Sequence, residues 1–175
     1  MRIVLTAVVA ALFAFSANAQ SQGDIEWMTF EEAVAASEKE PRPMFIDVYT
    51  EWCGWCKKMD ASTFKNSVIV DLMNNHFYAV KLDAEQKEEV KFRDHTFKYD
   101  ANAGRRGTHE LALSLLEGQM SYPTFVMMDT NVQRLQILKG FQQPNQLELL
   151  LNYYGKDLYK TQKPEEFKAG FKSAL

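Results

Sequence analysis

The sequence predicts an α/β domain in which helices cover a mixed β-sheet, and three stretches carry that prediction. Residues 44–49 are apolar and rich in β-formers, and residues that favour a helix follow them. Residues 68–75 then continue as helix and 77–83 as a buried strand, an order that favours parallel pairing through helical crossovers. Residues 124–129 and 132–139 have the pattern of two strands joined by a tight turn, which adds an antiparallel hairpin.

Two further elements precede the central strand at 44–49. Residues 25–28 are short and alternating, so they are a candidate first strand. Thr29 and Glu32 have the Thr-x-x-Glu spacing of a capping box, which predicts a helix that ends before Pro41.

Residues 1–19 have the pattern of a signal peptide. A positively charged start and an apolar run over 3–15 precede an Ala-x-Ala cleavage pattern that ends at Ala19. An N-terminal membrane anchor is the alternative, but this run is shorter than the about 20 apolar residues that span a bilayer. We therefore expect cleavage after Ala19, a periplasmic or secreted location, and one mature domain over 20–175.

The charge of the mature domain excludes two classes of partner. Lys and Arg total 20 and Asp and Glu total 23, and only Arg2 of these lies in the leader, so 19 basic and 23 acidic residues leave a net charge of −4. A negative domain offers no electrostatic attraction to nucleic acid or to an anionic membrane surface.

An insertion over about 85–118 separates the predicted strand at 77–83 from the predicted strand at 124–129. Forty positions lie between Asp83 and Pro123, which leaves about 25 residues more than the shortest crossover needs. Charge-rich residues 85–106 predict a solvated helix and loop. Thr108 is a candidate helix N-cap and Gly118 a helix stop, and the leucines between them recur at helical spacing: Leu111, Leu115 and Leu116. This helix should pack on the core and end next to Tyr122-Pro123, which places the insertion to form one wall of a substrate groove.

The chain closes with helical segments. Residues 145–154 predict the closing helix, whose leucines supply an apolar side. The extension over about 156–175 contains a further short helix after Pro164, in which Phe167 and Phe171 are four residues apart and can pack as a pair.

Both cysteines of the chain lie in the sequence Trp52-Cys53-Gly54-Trp55-Cys56. Cys53 follows the central strand and begins the next helix, so unpaired backbone N–H groups and the positive end of the helix dipole should point at its sulfur. That environment stabilises a thiolate, which is the reactive form of cysteine.

The stretch resembles the active site of the thioredoxin superfamily. Asp47 falls where thioredoxins have a buried acid, Lys81 where they have its lysine partner, and Tyr122-Pro123 where they have a cis-proline that faces the disulfide. Gly140 matches the glycine that closes the last strand. Among these proteins, the residues after the motif are most similar to the C-terminal thioredoxin domain of the disulfide reductase DsbD. The resemblance implies a thioredoxin fold with a helical insertion before the cis-proline strand and a C-terminal helical extension.

The thioredoxin resemblance also implies roles for the four catalytic candidates. Cys53 would attack a substrate disulfide and Cys56 would resolve the mixed disulfide. Burial should raise the pKa of Asp47, which would relay a proton to or from Cys56. Lys81 would modulate the Asp47 carboxyl. The alternative for Asp47 is a structural role in which it hydrogen-bonds core water.

Substrate binding is expected at Trp52, Gly54, Trp55, Tyr122 and Pro123. Trp52 should pack against the domain, whereas Trp55 lies between the cysteines and should be exposed to partners. Gly54-Trp55 replaces the Gly-Pro of thioredoxins and the Gly-His of disulfide isomerases, and Tyr122 replaces the smaller residue that usually precedes the cis-proline. Because the dipeptide has no histidine to stabilise the thiolate, a reductase is favoured over a strong oxidant.

Other uses of the cysteines are disfavoured. A purely structural disulfide across four residues would contribute about 2 kcal/mol by the chain-entropy estimate, against about 3 for a 15-residue loop. A c-type haem site needs His where Lys57 stands. Zinc would need two more ligands, and His76, His95 and His109 have no paired spacing and are expected to be surface or capping residues. We therefore expect no metal and no cofactor besides the Cys53–Cys56 pair.

The expected function is reduction of disulfides in protein substrates, with a membrane-bound electron donor as a second partner. Two alternatives remain at this point: a thioredoxin-like module that binds an extended peptide without turnover, and a disulfide oxidase or isomerase.

Overall fold

The fold is described over residues 23–175 by a computed structural model. The signal peptide predicted over 1–19 lies outside the described residues. The strands are β1 (Trp27–Met28), β2 (Met44–Tyr49), β3 (Tyr78–Asp83), β4 (Val90–Phe92), β5 (His95–Phe97), β6 (Tyr99–Asp100), β7 (Thr108–His109), β8 (Thr124–Met128) and β9 (Arg134–Lys139). The helices are α1 (Phe30–Lys39), α2 (Gly54–Ala61), α3 (Ser67–His76), α4 (Glu110–Leu115), α5 (Pro144–Gly155) and α6 (Pro164–Gly170).

A five-stranded mixed sheet in the order β1-β3-β2-β8-β9 forms the centre of the molecule. β3 pairs in parallel with β1 and β2, while β8 is antiparallel to both β2 and β9. Parallel neighbours require crossover connections, and α1 and the α2–α3 segment supply them. The predicted α/β class, mixed sheet and C-terminal hairpin are confirmed.

Alternation along β2 divides the core between the two faces of the sheet. Met44, Ile46 and Val48 belong to one apolar cluster, which also contains residues of α1 and α4. Phe45 belongs to the second cluster with residues of α3 and α5, and its ring stacks on that of Phe125 with centroids 5.4 Å apart. Because successive side chains of a strand point to opposite faces, Asp47 lies on the same face as Phe45.

The sequence signals at the start of α1 form the predicted contacts. The Thr29 side chain accepts the N–H of Glu32, and the Glu32 carboxylate accepts the N–H of Thr29. This reciprocal capping box satisfies two backbone donors that a helix start leaves unpaired.

The insertion differs from the prediction in its first part. Residues 85–106 were predicted as a solvated helix and loop, but they contain the β4–β5 hairpin and β6, which pairs with β7. The physical reason is alternation: Val90, Phe92 and Phe97 contact the α1-side core, while the charged residues between them face outward. A solvated face can belong to a strand as well as to a helix.

The second part of the insertion is the predicted core-packed helix, with one shift at its start. Leu111, Leu115 and Leu116 are buried, as expected. The N-cap, however, is His109 and not Thr108, because Thr108 is paired with Asp100 in the β6–β7 ladder.

The C-terminal extension packs against α5. The rings of Phe167 and Phe171 lie 5.3 Å apart, which confirms the predicted pair, and Phe167 also stacks on Tyr153. Beyond α6, the buried carboxylate of Glu148 accepts the hydroxyl of Ser173 and, at 2.7 Å, the N–H of Ala174. The last residues are thus held by hydrogen bonds to α5.

Within residues 23–175 we found no helix with both the length and the apolar character needed to cross a bilayer.

Candidate active site

Cys53 and Cys56 form a disulfide at the N-terminus of α2, directly beyond the end of β2. Cys53 is the N-cap residue, and its sulfur accepts the backbone N–H of Cys56 at 3.0 Å. In the reduced protein this N–H and the positive end of the helix dipole favour a thiolate on Cys53. The predicted change from strand to helix at Cys53 therefore places its sulfur where a thiolate is stabilised.

The Tyr122–Pro123 peptide bond is cis, as the resemblance implied, and leads directly into β8 beside β2. Gly140 fixes the other end of this segment, because its N–H donates to the carbonyl of Pro123 at 2.8 Å. Gly140 has a φ of +81°, in the left-handed region that favours glycine.

A buried carboxylate lies on β2, the strand that leads to the cysteines. Asp47 is 0% exposed, and its pairing register places it beside Lys81 of β3, whose Nζ donates to Asp47 Oδ2 at 2.7 Å. Removal from water raises the pKa of Asp47 to about 6, although the Lys81 charge opposes the rise. The predicted pair of Asp47 and Lys81 is therefore formed, and the acid titrates near neutral pH.

Asp60 completes a chain of three charges that the sequence analysis missed. Lys81 Nζ lies 2.6 Å from Asp60 Oδ1 as well as 2.7 Å from Asp47. Burial disfavours the Lys81 cation, but the two carboxylates outweigh it and hold the Lys81 pKa above its usual value. The sequence signal that could have identified Asp60 is its spacing, because it follows Cys56 by one helical turn and so lies on the same side of the helix. A cleft of about 290 Å³ lined by Cys56, Asp60 and Lys81 opens this chain to solvent.

Trp52, Tyr122 and the insertion form one flank of the disulfide. Trp52 was expected to pack against the domain, yet it is 52% exposed. Its ring meets Tyr122 edge-on with centroids 5.8 Å apart, and its Nε1–H donates to Glu85 at 2.9 Å. Burial, with Glu85 and Asp83 nearby, raises the pKa of Tyr122 to about 12, so its hydroxyl stays neutral. Glu85 and Arg106, which lies over the Trp52 ring, were not predicted as site residues.

Trp55 forms the opposite flank and is 56% exposed, in agreement with its predicted position. Its ring lies 5.6 Å from that of Phe141, and the ammonium of Lys58 lies 4.8 Å from the Trp55 centroid and 5.1 Å from that of Phe141. A Cβ added at Gly54 would meet no atom within 4 Å, so no close approach requires glycine there. Trp52 with Tyr122 and Trp55 with Phe141 thus form two aromatic pairs, each containing a residue next to a cysteine in the chain.

The histidines are separate from this site. His109 is buried as the N-cap of α4: its Nδ1 accepts the N–H of Leu111, and its Nε2 faces the carbonyl of Glu88. Burial holds the pKa of His109 below its usual value. Within the described part of the chain, no group of three or more His, Cys, Asp or Glu side chains is placed to hold a metal ion.

Comparison with known protein families identifies the group to which this architecture belongs. The family model Thioredox_DsbH, described as "Protein of unknown function, DUF255", matches residues 15–144. The chain belongs to this family. The Thioredox_DsbH match includes both cysteines, the Asp47–Lys81 pair and the cis-proline, and it ends where α5 begins.

Two curated proteins are similar to part of this chain. Spermatogenesis-associated protein 20 of Rattus norvegicus is 31% identical over 81 residues, which are 46% of this chain and 10% of that protein. The thiol:disulfide interchange protein DsbD of Pseudoalteromonas atlantica is 27% identical over 67 residues, 38% of this chain and 11% of that protein. The chain spans about a tenth of the length of these relatives.

A thioredoxin-fold protein from Helicobacter pylori superposes with a TM-score of 0.57 at 16% identity, covering 87% of this chain and 89% of that one. The predicted thioredoxin fold and the similarity to DsbD are confirmed.

Proposed function

We propose that this Thioredox_DsbH protein is a thiol–disulfide oxidoreductase that reduces disulfides in protein substrates. One observation carries the proposal: the Cys53–Cys56 disulfide lies at a helix N-terminus, the strand β2 that leads to it carries a buried carboxylate of raised pKa, and the neighbouring strand β8 follows a cis-proline. A redox pair needs a stabilised thiolate on one cysteine and a proton acceptor for the other; the helix terminus would supply the first and Asp47 would serve as the second.

The reduced dithiol would act in two steps. The Cys53 thiolate attacks one sulfur of the substrate disulfide, forms a mixed disulfide and releases the other sulfur as a thiolate that takes a proton. Cys56 then loses its proton, with Asp47 as acceptor, and attacks the Cys53 sulfur. The second substrate sulfur leaves, so two electrons have passed from the protein to the substrate and the Cys53–Cys56 disulfide remains.

The direction is inferred from the groups around the sulfurs. Gly54 and Trp55 place no ionisable side chain between the cysteines, so stabilisation of the thiolate rests mainly on the helix terminus. A moderate stabilisation favours a reducing couple. We therefore place its potential near the about −270 mV of thioredoxin and away from the about −120 mV of DsbA.

The cellular setting is part of the proposal. The signal-peptide pattern over 1–19 supports export to the periplasm or outside the cell, an oxidising compartment. A reductase there becomes oxidised at every turnover, so it needs an electron donor that crosses or lies in the membrane. DsbD of P. atlantica, to which this chain is similar, is named a thiol:disulfide interchange protein.

Trapping of mixed disulfides tests the activity. Cys56→Ser keeps the attacking thiolate but removes resolution, so covalent complexes with substrate proteins should accumulate on non-reducing gels. Cys53→Ser should trap almost nothing. Equal trapping by both variants would show that Cys53 is not the nucleophile. Failure of both to trap, with retained binding of unfolded protein, would favour a peptide-binding module.

Equilibration with glutathione buffers tests the direction. The mature protein is incubated at fixed ratios of reduced to oxidised glutathione, and the oxidised fraction of the Cys53–Cys56 pair is measured by alkylation. A potential near that of thioredoxin supports the reductase, whereas a value near that of DsbA would refute it and favour an oxidase.

A further inference from the structure

A pocket of about 600 Å³ lies next to Trp52, the residue that directly precedes Cys53. The aromatic rings of Trp52 and Tyr122, together with Met120, line one part of it, and the segment from Gly104 to Thr108 lines another. Because Tyr122 directly precedes the cis-proline, a peptide whose cysteine reaches Cys53 would place a neighbouring side chain close to this pocket.

The insertion segment that lines the pocket has a fixed conformation. The hydroxyl of Tyr99 donates to the carbonyl of Arg106 at 2.5 Å, and Thr108 Oγ1 donates to the carbonyl of Ala103 at 3.1 Å. Gly107 has a φ of +76°, and a Cβ on it would lie 1.9 Å from the Tyr99 hydroxyl oxygen. These contacts hold the backbone of Arg106 in one place relative to β6.

The pocket lining contains more positive than negative side chains. Arg105 and Arg106 are cationic, and Glu85 is the single carboxylate among the lining residues. A carboxylate oxygen of Glu85 accepts the Trp52 Nε1–H, and the Arg106 guanidinium lies 5.5 Å from the Trp52 centroid. Within residues 23–175 neither arginine forms an ion pair. Two guanidinium groups are therefore available to a ligand.

Guanidinium chemistry indicates what the pocket would bind. Arg presents its N–H donors in a planar fork that matches a carboxylate, and its flat face stacks on an aromatic ring. With Trp52 under one arginine, the N–H edges remain free for a planar anion. The apolar surface of Trp52, Met120 and Tyr122 would cover the methylene groups of the same side chain.

We propose that this pocket, the arginine pocket, selects protein disulfides that have an acidic side chain next to the attacked cysteine. The inference rests on the proposed disulfide reduction and names the substrate class of that same site. The carboxylate would pair with Arg106 and Arg105 while the cysteine is positioned for attack by Cys53. The preference is local, because the domain as a whole is negatively charged.

Paired peptides test the arginine pocket. Two disulfide-linked peptides that differ only in Glu or Gln beside the cysteine are reduced by the pre-reduced mature protein, and the second-order rate constants are compared. The Glu peptide should react about fivefold faster, the ratio that an exposed ion pair of about 1 kcal/mol produces, and the ratio should fall in high salt. Arg106→Gln should bring the ratio close to one. Arg93→Gln, which removes the same charge from the β4–β5 turn, is the matched control and should keep the wild-type ratio.

The outcomes separate the pocket from the activity. Equal rates with the two peptides in the wild-type protein, or a preference that survives in the Arg105→Gln/Arg106→Gln double variant, would overturn the pocket while leaving the reductase intact. If no peptide is reduced, the proposed activity fails. The pocket is then judged from tryptophan fluorescence during titration of the oxidised Trp27→Phe/Trp55→Phe variant, in which Trp52 is the remaining tryptophan, with the same peptides carrying Ser in place of Cys. Tighter binding of the Glu peptide supports the pocket, and equal binding refutes it.

Discussion

Replacing Asp47 by Asn should stabilise the oxidised protein at neutral and alkaline pH. Asp47 is completely buried, and its pKa is raised from 3.8 to about 6 because the charged form has lost its hydration. Between these two pH values the folded protein holds a proton that the unfolded chain has released. The free energy of unfolding therefore falls as pH rises through this window and levels off above it.

The size of the effect follows from the width of that window. About two pH units at about 1.4 kcal/mol per unit give a destabilisation of about 3 kcal/mol above pH 6. This shift already includes the attraction of Lys81. Asn has the same shape without a titrating group, and Lys81 keeps its second partner Asp60. The variant should thus match the wild type near pH 4 and exceed it by about 3 kcal/mol at pH 8.

Urea unfolding of the oxidised protein between pH 4 and 8 measures the difference. Asp60→Asn is the matched control: its side chain is 45% exposed, so its removal should give no comparable gain in stability. Because the Asp60 charge raises the Asp47 pKa, this control should also move the wild-type transition to lower pH. A pH-independent difference between Asp47→Asn and the wild type would refute the argument from desolvation.

The same substitution tests the proton transfer. If Asp47 accepts the proton of Cys56, Asp47→Asn should slow disulfide reduction and remove the inflection near pH 6 from the rate profile. An unchanged profile would leave Asp47 with a structural role alone.

Two further predictions concern the insertion and the C-terminus. Burial lowers the His109 pKa, so acidification below the usual histidine pKa of about 6.5 should destabilise the fold. His109→Asn keeps a capping oxygen but does not titrate, so it should lose less stability on acidification. Identical shifts of the urea midpoint between pH 7 and 5 in the wild type and the variant would contradict this. Glu148→Ala removes the acceptor of two hydrogen bonds, one from the Ser173 hydroxyl and one from the Ala174 N–H. The free energy of unfolding should fall by about 1–3 kcal/mol, and tryptic cleavage at Lys172 should become faster. Unchanged stability and cleavage would show that the tail is held by other contacts.

The sequence predicted the central part of this site because local patterns and packing agree there. The apolar run of β2 leads into a helix whose first residues are Gly54 and Trp55, so the position of Cys53 follows from the change in composition alone. Asp47 could be identified as unusual since a charged residue inside an apolar strand needs a partner. The cis-proline required the family resemblance, because nothing local in Tyr122-Pro123 distinguishes cis from trans.

Other parts depend on tertiary contacts that no local pattern records. Asp60 joins Lys81 only because α2 packs over the sheet face that carries Asp47. The hairpins of the insertion were concealed by their charges, since Lys91 alternates with Val90 and Phe92 and gives a short strand the composition of a solvated segment. Arg106 reaches Trp52 through a loop whose shape depends on Gly107 meeting Tyr99.

Within the described residues β4 pairs only with β5 and β6 only with β7, and none of these four strands joins the five-stranded sheet. Substitutions at Arg105 and Arg106, which follow β6, can therefore leave the ladder that pairs Asp47 with Lys81 unchanged. The β4–β5 hairpin packs on the α1-side core through Val90, Phe92 and Phe97. The exposed loop between β6 and β7 is therefore the part that can be exchanged. Replacing the loop between β6 and β7 by a different sequence should accordingly change the preference among substrates and leave the reduction potential unchanged.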